Sequence, residues 1–69
     1  MTYSQRIAKA LLMGQEISYR SMETSIQCNH PYKPLKQAIE FVEGLGKKVR
    51  ERQNINSSNN KVYLTWQVV

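Results

Sequence analysis

Apolar residues recur at helical spacing along the start of the chain. Tyr3, Ile7, Ala8, Ala10, Leu11 and Leu12 form an i, i+4, i+8 stripe, while Gln5, Arg6 and Lys9 fall off it. Thr2 followed three residues later by Gln5 is a capping box, in which the Thr hydroxyl accepts from the Gln5 amide and the Gln side chain accepts from the Thr2 amide. Gly14 supplies a left-handed stop. The pattern predicts a first helix with both ends marked. Gln15, Glu16 and Ile17 are too few for an independent element and fit a single bridging strand. Ser18 is the next N-cap, with Ile17 and Met22 placed to close a hydrophobic staple. A second helix is expected from Tyr19 to about Gln27, burying Met22 and Ile26. Its serines and Thr24 lower its intrinsic propensity, so packing must hold it.

The stretch from Cys28 to Pro34 is a break, because Pro31 and Pro34 each push the preceding residue away from helix. Pro34 reads best as the first residue of a third helix, with a start nearer Pro31 as the alternative. Leu35, Ala38, Ile39, Val42 and Leu45 define its buried side, with Phe41 at the margin, and Gly44 to Gly46 end it. The period then changes from 3.6 to 2. Lys48 to Gln53 and Lys61 to Val68 read as two strands flanking a polar-biased loop, Asn54 to Asn60. Val62, Leu64, Trp66 and Val68 alternate with Tyr63, Thr65 and Gln67, so one face is apolar and packs on the helices, with Trp66 in the core. In the partner strand Val49 points inward, and Arg50 and Arg52 share the opposite face. No repeat or second unit is visible, so residues 1–69 are expected to form one domain. A chain this short buries only about 60% of its unfolded surface, and a stability of about 3–5 kcal/mol is expected.

Composition adds a sign to this layout. The net charge is +5, with no aspartate. Lys33 to Lys61 holds seven Lys/Arg against three Glu, a balance of +4, while the first 32 residues contribute +1. Positive charge thus gathers in the third helix and the ribbon, where a polyanion would be met. The single Cys28 excludes an internal disulfide, and with His30 alone beside it the four ligands of a structural zinc site are not assembled. No apolar run approaches the ~20 residues of a membrane span, and the opening residues lack the apolar stretch of a secretion signal. A cytoplasmic protein is expected, with no membrane partner and no cofactor.

Catalysis has little to work with. One His, no Asp and five scattered Glu form no Ser-His-acid set and no paired carboxylate site, so no enzyme is expected. The third helix offers more. With its apolar side inward, Lys33, Lys36, Gln37 and Glu40 open its exposed side, and Tyr32 just precedes it. Gln pairs bidentately with adenine, Lys reaches guanine or phosphate, and Tyr donates to phosphate. On the ribbon, Arg50, Arg52 and Lys61 suit contact with the DNA backbone or minor groove. A cationic strand also serves to keep a sheet edge from aggregating.

These residues together resemble the winged helix-turn-helix superfamily, and within it small bacteriophage and prophage DNA-binding proteins. The likeness rests on the opening Thr2, Tyr3, Ser4, Gln5, Arg6, Ile7, on Leu11, Leu12, Gly14, Ile17 and Ser18, and on Ala38, Ile39, Val42, Gly46, Val49 and Arg50. It implies an α+β winged helix, ordered α-β-α-α-β-β, that binds double-stranded DNA. The family's DNA-reading positions at the start of helix three fall on Tyr32, Lys33, Lys36 and Gln37, and its wing positions on Arg50, Arg52 and Lys61. The stretch from Pro31 to Pro34 departs from the usual Ser/Thr-Arg start of that helix. The implied role is a small transcriptional regulator or a recombination or replication accessory factor, acting with a second copy or another DNA-bound protein. Two other readings predict different surfaces. A winged helix that docks proteins would expose an apolar patch around Phe41, Leu45 and Ile55. A single-strand binder would expose Tyr63 or Trp66 for base stacking.

Overall fold

A computed structural model describes residues 2–69. Its elements are α1 (Tyr3–Leu12), β1 (Ile17–Ser18), α2 (Tyr19–Thr24), α3 (Tyr32–Gly44), β2 (Val49–Ile55) and β3 (Val62–Val68). The architecture is α+β, with three helices and a three-stranded antiparallel sheet in the order β1-β3-β2.

Local hydrogen bonding fixes α1 at both ends. Thr2 Oγ1 accepts from the Gln5 amide at 3.2 Å, and Gln5 Oε1 accepts from the Thr2 amide at 2.9 Å. At the other end Gly14 takes φ +82°, its amide donates to Leu11 O at 3.0 Å, and the Gln15 amide donates to Ala10 O at 3.1 Å. That pair of bonds is a Schellman motif. Because Gln15 is engaged in this cap, the bridging strand begins later than expected, at Ile17, and pairs Ile17 with Trp66 and Ser18 with Thr65. Ser18 then caps α2 in a second capping box, with Ser21 as its reciprocal partner. Ile17 and Met22, the expected staple, are both buried in the core.

α2 stops at Thr24, three residues short of the expected Gln27. Gln27 instead adopts φ +61°, and the Cys28 amide turns back to Met22 O at 3.1 Å, which carries the Cys28 side chain into the interior. A left-handed backbone costs a side-chain-bearing residue roughly 1–2 kcal/mol, and glycine offsets part of this with its own entropy. Gln27→Gly is therefore expected to stabilise the protein by roughly 0.5–1 kcal/mol. The urea midpoint checks this, and a lowered midpoint would mean that the Gln27 side chain holds the turn.

The third helix begins at Tyr32 with Pro31 as N-cap, so Pro34 is its third residue rather than its first. Proline is tolerated there because the first intrahelical donor is the Leu35 amide, bonded to Pro31 O at 2.8 Å. Leu35, Ala38 and Val42 are buried and Ile39 is half-buried. Leu45 is exposed, contrary to the helical period, because the helix ends at Gly44 and the backbone no longer aims it inward.

The ribbon is longer than the apolar alternation implies. Asn54 and Ile55 belong to β2 rather than to the loop, and the register runs from Val49 opposite Val68 to Ile55 opposite Val62. The turn is closed by the Asn56 amide on Lys61 O at 2.9 Å, with Asn60 at φ +56°, a conformation asparagine tolerates. Trp66, Leu64, Val68 and Val49 face the helices, whereas Val62 and Ile55 at the far end of that face are exposed. The apolar alternation of β3 thus runs past the body it covers. On the other face Thr65 is only 4% exposed, with its hydroxyl accepting from Asn54 Nδ2 at 2.9 Å. The core joins Ile7, Ala8 and Leu11 of α1 to Leu35, Ala38 and Val42 of α3, with Ile17, Met22 and Trp66 closing its sides. Among the described residues no helix is long and apolar enough to cross a membrane.

Candidate nucleic-acid interface

The outward side of α3 follows from what it buries. With Leu35, Ala38 and Val42 turned to the core, Lys33, Lys36, Gln37 and Glu40 fall within an arc of roughly 100° on the opposite side. All four are exposed. Tyr32, in the first turn, is 72% exposed, and its ring centroid lies 5.1 Å from that of Tyr19. Tyr19 in turn meets Trp66 edge-on at 5.0 Å, and the Trp66 indole N–H donates to Glu51 Oε1 at 3.1 Å. A line of aromatic rings therefore runs from the core to the start of α3 and fixes where Tyr32 stands. Burial, the neighbouring Tyr32 and the Glu51 carboxylate all push the Tyr19 phenol above its usual pKa of 10.0.

The two flanks of the α3 ridge differ. Lys33, Lys36 and Glu40 border an open cleft of about 530 Å³ between α3 and the sheet, shared with Tyr19, Tyr32 and Glu51. Gln37 lies on the opposite flank, beside Phe41, Leu12 and Met13, in a groove between α3 and α1. Tyr32, Lys33 and Lys36 are thus brought together, with Gln37 next to them on the same ridge.

The ribbon cations are placed elsewhere. By strand alternation Arg50 and Arg52 lie opposite Gln67 and Thr65, on the sheet face turned away from Trp66 and the helices. Arg52 also meets Glu16 across β3, at 3.7 Å between Nη1 and Oε2. Lys61 sits at the mouth of the turn, its amide donating to Asn59 Oδ1 at 2.9 Å and its side chain exposed. The expected set is therefore two groups of cations, one on the α3 ridge and one on the far face and tip of the ribbon. Because β2 is an edge strand, the long arginine stems can still reach the rim of the sheet.

Three participants were not visible as site residues in the sequence. Glu51 shares the alternation of Val49 and points inward to Trp66, a parity that could have been read from the strand pattern. Tyr19 and Glu16 act across 13 and 36 positions, on Tyr32 and Arg52 respectively, and no local pattern signals such contacts. Glu16 is the consequential one, since it competes with any phosphate for Arg52. Glu16→Gln is expected to tighten binding to a polyanion severalfold at low salt, with the gain vanishing at high salt. Equal affinity of both forms at low salt would mean that Arg52 makes no such contact.

In comparisons with known proteins the chain matches no family model, no curated protein and no solved structure.

Proposed function

We propose that this chain binds double-stranded DNA as a winged helix-turn-helix module and performs no catalysis. The observation that carries the reading is the α3 ridge. Tyr32, Lys33, Lys36 and Gln37 stand exposed on one side of a helix whose other side is locked into the core. In this reading α3 enters the major groove, Gln37 meets a base edge, and Lys33, Lys36 and Tyr32 hold phosphates. The ribbon lies alongside, with Lys61 and the asparagine-rich turn on the backbone or adjacent minor groove and Arg50 and Arg52 reaching phosphates from the sheet rim. The absence of Asp and Glu from Arg52 to Val69 supports this, because nothing in that stretch repels a phosphate. The biological role that fits is a small transcriptional regulator, or an accessory factor in phage recombination or replication.

Fluorescence anisotropy of a random duplex against an equal-length single strand, at several salt concentrations, tests the proposal. Duplex preference that weakens steeply with salt is expected. Absence of binding at low salt would overturn it in favour of a protein-docking role, for which the exposed Phe41, Leu45 and Ile55 are the supporting observation. The single-strand alternative loses Trp66, which is 5% exposed, and rests on Tyr63, which is 45% exposed on the outer face of the ribbon.

A further inference from the structure

We propose that the free edge of β2 takes up an extended segment of another protein as a fourth strand, a segment that alternates acidic and apolar side chains. Parity defines the edge. Lys48 O accepts from the Val69 amide at 2.9 Å, and the Asn56 amide donates to Lys61 O at 2.9 Å. Bonded and non-bonded pairs alternate in an antiparallel ladder, so the even-numbered residues of β2 bond to β3. The amides and carbonyls of Val49, Glu51, Gln53 and Ile55 therefore point away from the sheet, and no described residue bonds them.

Charge and shape decide what pairs there. The outer face of the edge carries the exposed Lys48, Arg50 and Arg52, and the one ion pair there among the described residues is Arg52 with Glu16. On the inner face the cleft of about 530 Å³ adjoins the edge, because Glu51 lines it and offers its own backbone outward. Lys33 and Lys36 balance Glu40 and Glu51 around that cleft, and Leu35, Ile39 and Trp66 make it apolar. A segment lying along β2 thus meets cations on one face and an apolar recess without net charge on the other. Main-chain bonds hold an added strand, and alternate side chains select it. This chain does not supply the segment: it has no aspartate, and no two of its five glutamates stand two residues apart. Pairing two β2 edges would set two cationic faces side by side, the usual block to self-pairing. A DNA backbone accepts from outward amides but offers the outward carbonyls no donor.

The test titrates the full chain, at low salt, into a fluorescein-labelled blocked peptide that alternates glutamate with valine and phenylalanine. Saturable binding by anisotropy is expected, with the amides of Val49, Glu51, Gln53 and Ile55 protected from hydrogen exchange. Methylating the amide nitrogens of the peptide's apolar residues, which face β2, should weaken binding at least about tenfold. Gln53→Pro should do the same, since proline there blocks the edge and removes no β2–β3 bond. Circular dichroism verifies the fold of that variant, and the methylated peptide carries the test if it fails to fold. The same peptide with lysine in place of glutamate should not bind. No binding of the acidic peptide, or affinity that methylation leaves unchanged, overturns the proposal. Protection of the same four amides by a DNA duplex and not by the peptide also overturns it, giving the edge to nucleic acid. Binding of the peptide stands apart from the DNA reading, since the edge is open whether or not α3 meets a duplex.

Discussion

Trp66→Ala is expected to leave the chain without a stable native state at 25 °C. Trp66 lies in the central strand, paired with Ile17 on one side and Glu51 on the other, so its side chain sits where the sheet meets the helices. Its indole supports Tyr19 edge-on and donates to Glu51. Truncating a buried Trp to Ala costs about 3–5 kcal/mol. A domain of this size has only about 3–5 kcal/mol to lose. Urea unfolding followed by far-UV circular dichroism measures the effect. Trp66→Phe is the informative companion, because it retains much of the packing and deletes the bond to Glu51; a cost of about 1–2 kcal/mol is expected. A cooperative transition for the alanine variant within about 1 kcal/mol of wild type would show that the sheet and helices hold together without this ring.

The second large effect concerns affinity. Neutralising Lys33 and Lys36 together with glutamine should lower the slope of log K against log salt by about 2, since every phosphate that a cation neutralises adds roughly 0.9 to it. Both side chains are exposed, so the melting temperature should hardly move. Neutralising Arg50 and Arg52 should do less, lowering the slope by about 1, because Arg52 is already engaged by Glu16. Equal effects of the two pairs would place the ribbon and α3 on the duplex alike. A flat response to the lysine pair, with binding intact, would remove the start of α3 from the contact surface.

How much of this was legible in the chain depended on whether the controlling interaction was local. The Thr2–Gln5 box, the Gly14 stop and the Ser18 cap are contacts within a few residues, and each stands where the sequence places it. The order of elements followed from hydrophobic period together with the caps and the proline break, and the exposed side of α3 from period. The end of α2 did not, because Gln27 enters the left-handed region with no sequence mark and is held there by the turn that buries Cys28. The start of α3 was ambiguous because two prolines both satisfy a first-turn position. Thr65 reads as a solvent-facing residue in an alternating strand, yet Asn54 bonds its hydroxyl and its face is covered in the centre of the sheet. The candidate site was legible by composition and only partly by geometry. Charge counting along the chain finds the two cationic groups, but whether they share a side depends on how the ribbon sits on the helices.

The strand order has a consequence for how the protein comes into being. β3 is the central strand, and Ile17 meets Trp66 across 49 positions of chain. While the ribosome is still making residues 62–68, β1 and β2 have no neighbour and the core lacks its indole wall. β1 and β2 must therefore wait, since pairing this distant cannot begin until their partner strand emerges, whereas α1 and α3 pack directly on each other. Loss of residues 62–68 by premature termination would leave two orphaned edges and bared apolar helix faces, a product for proteases rather than a weakened fold.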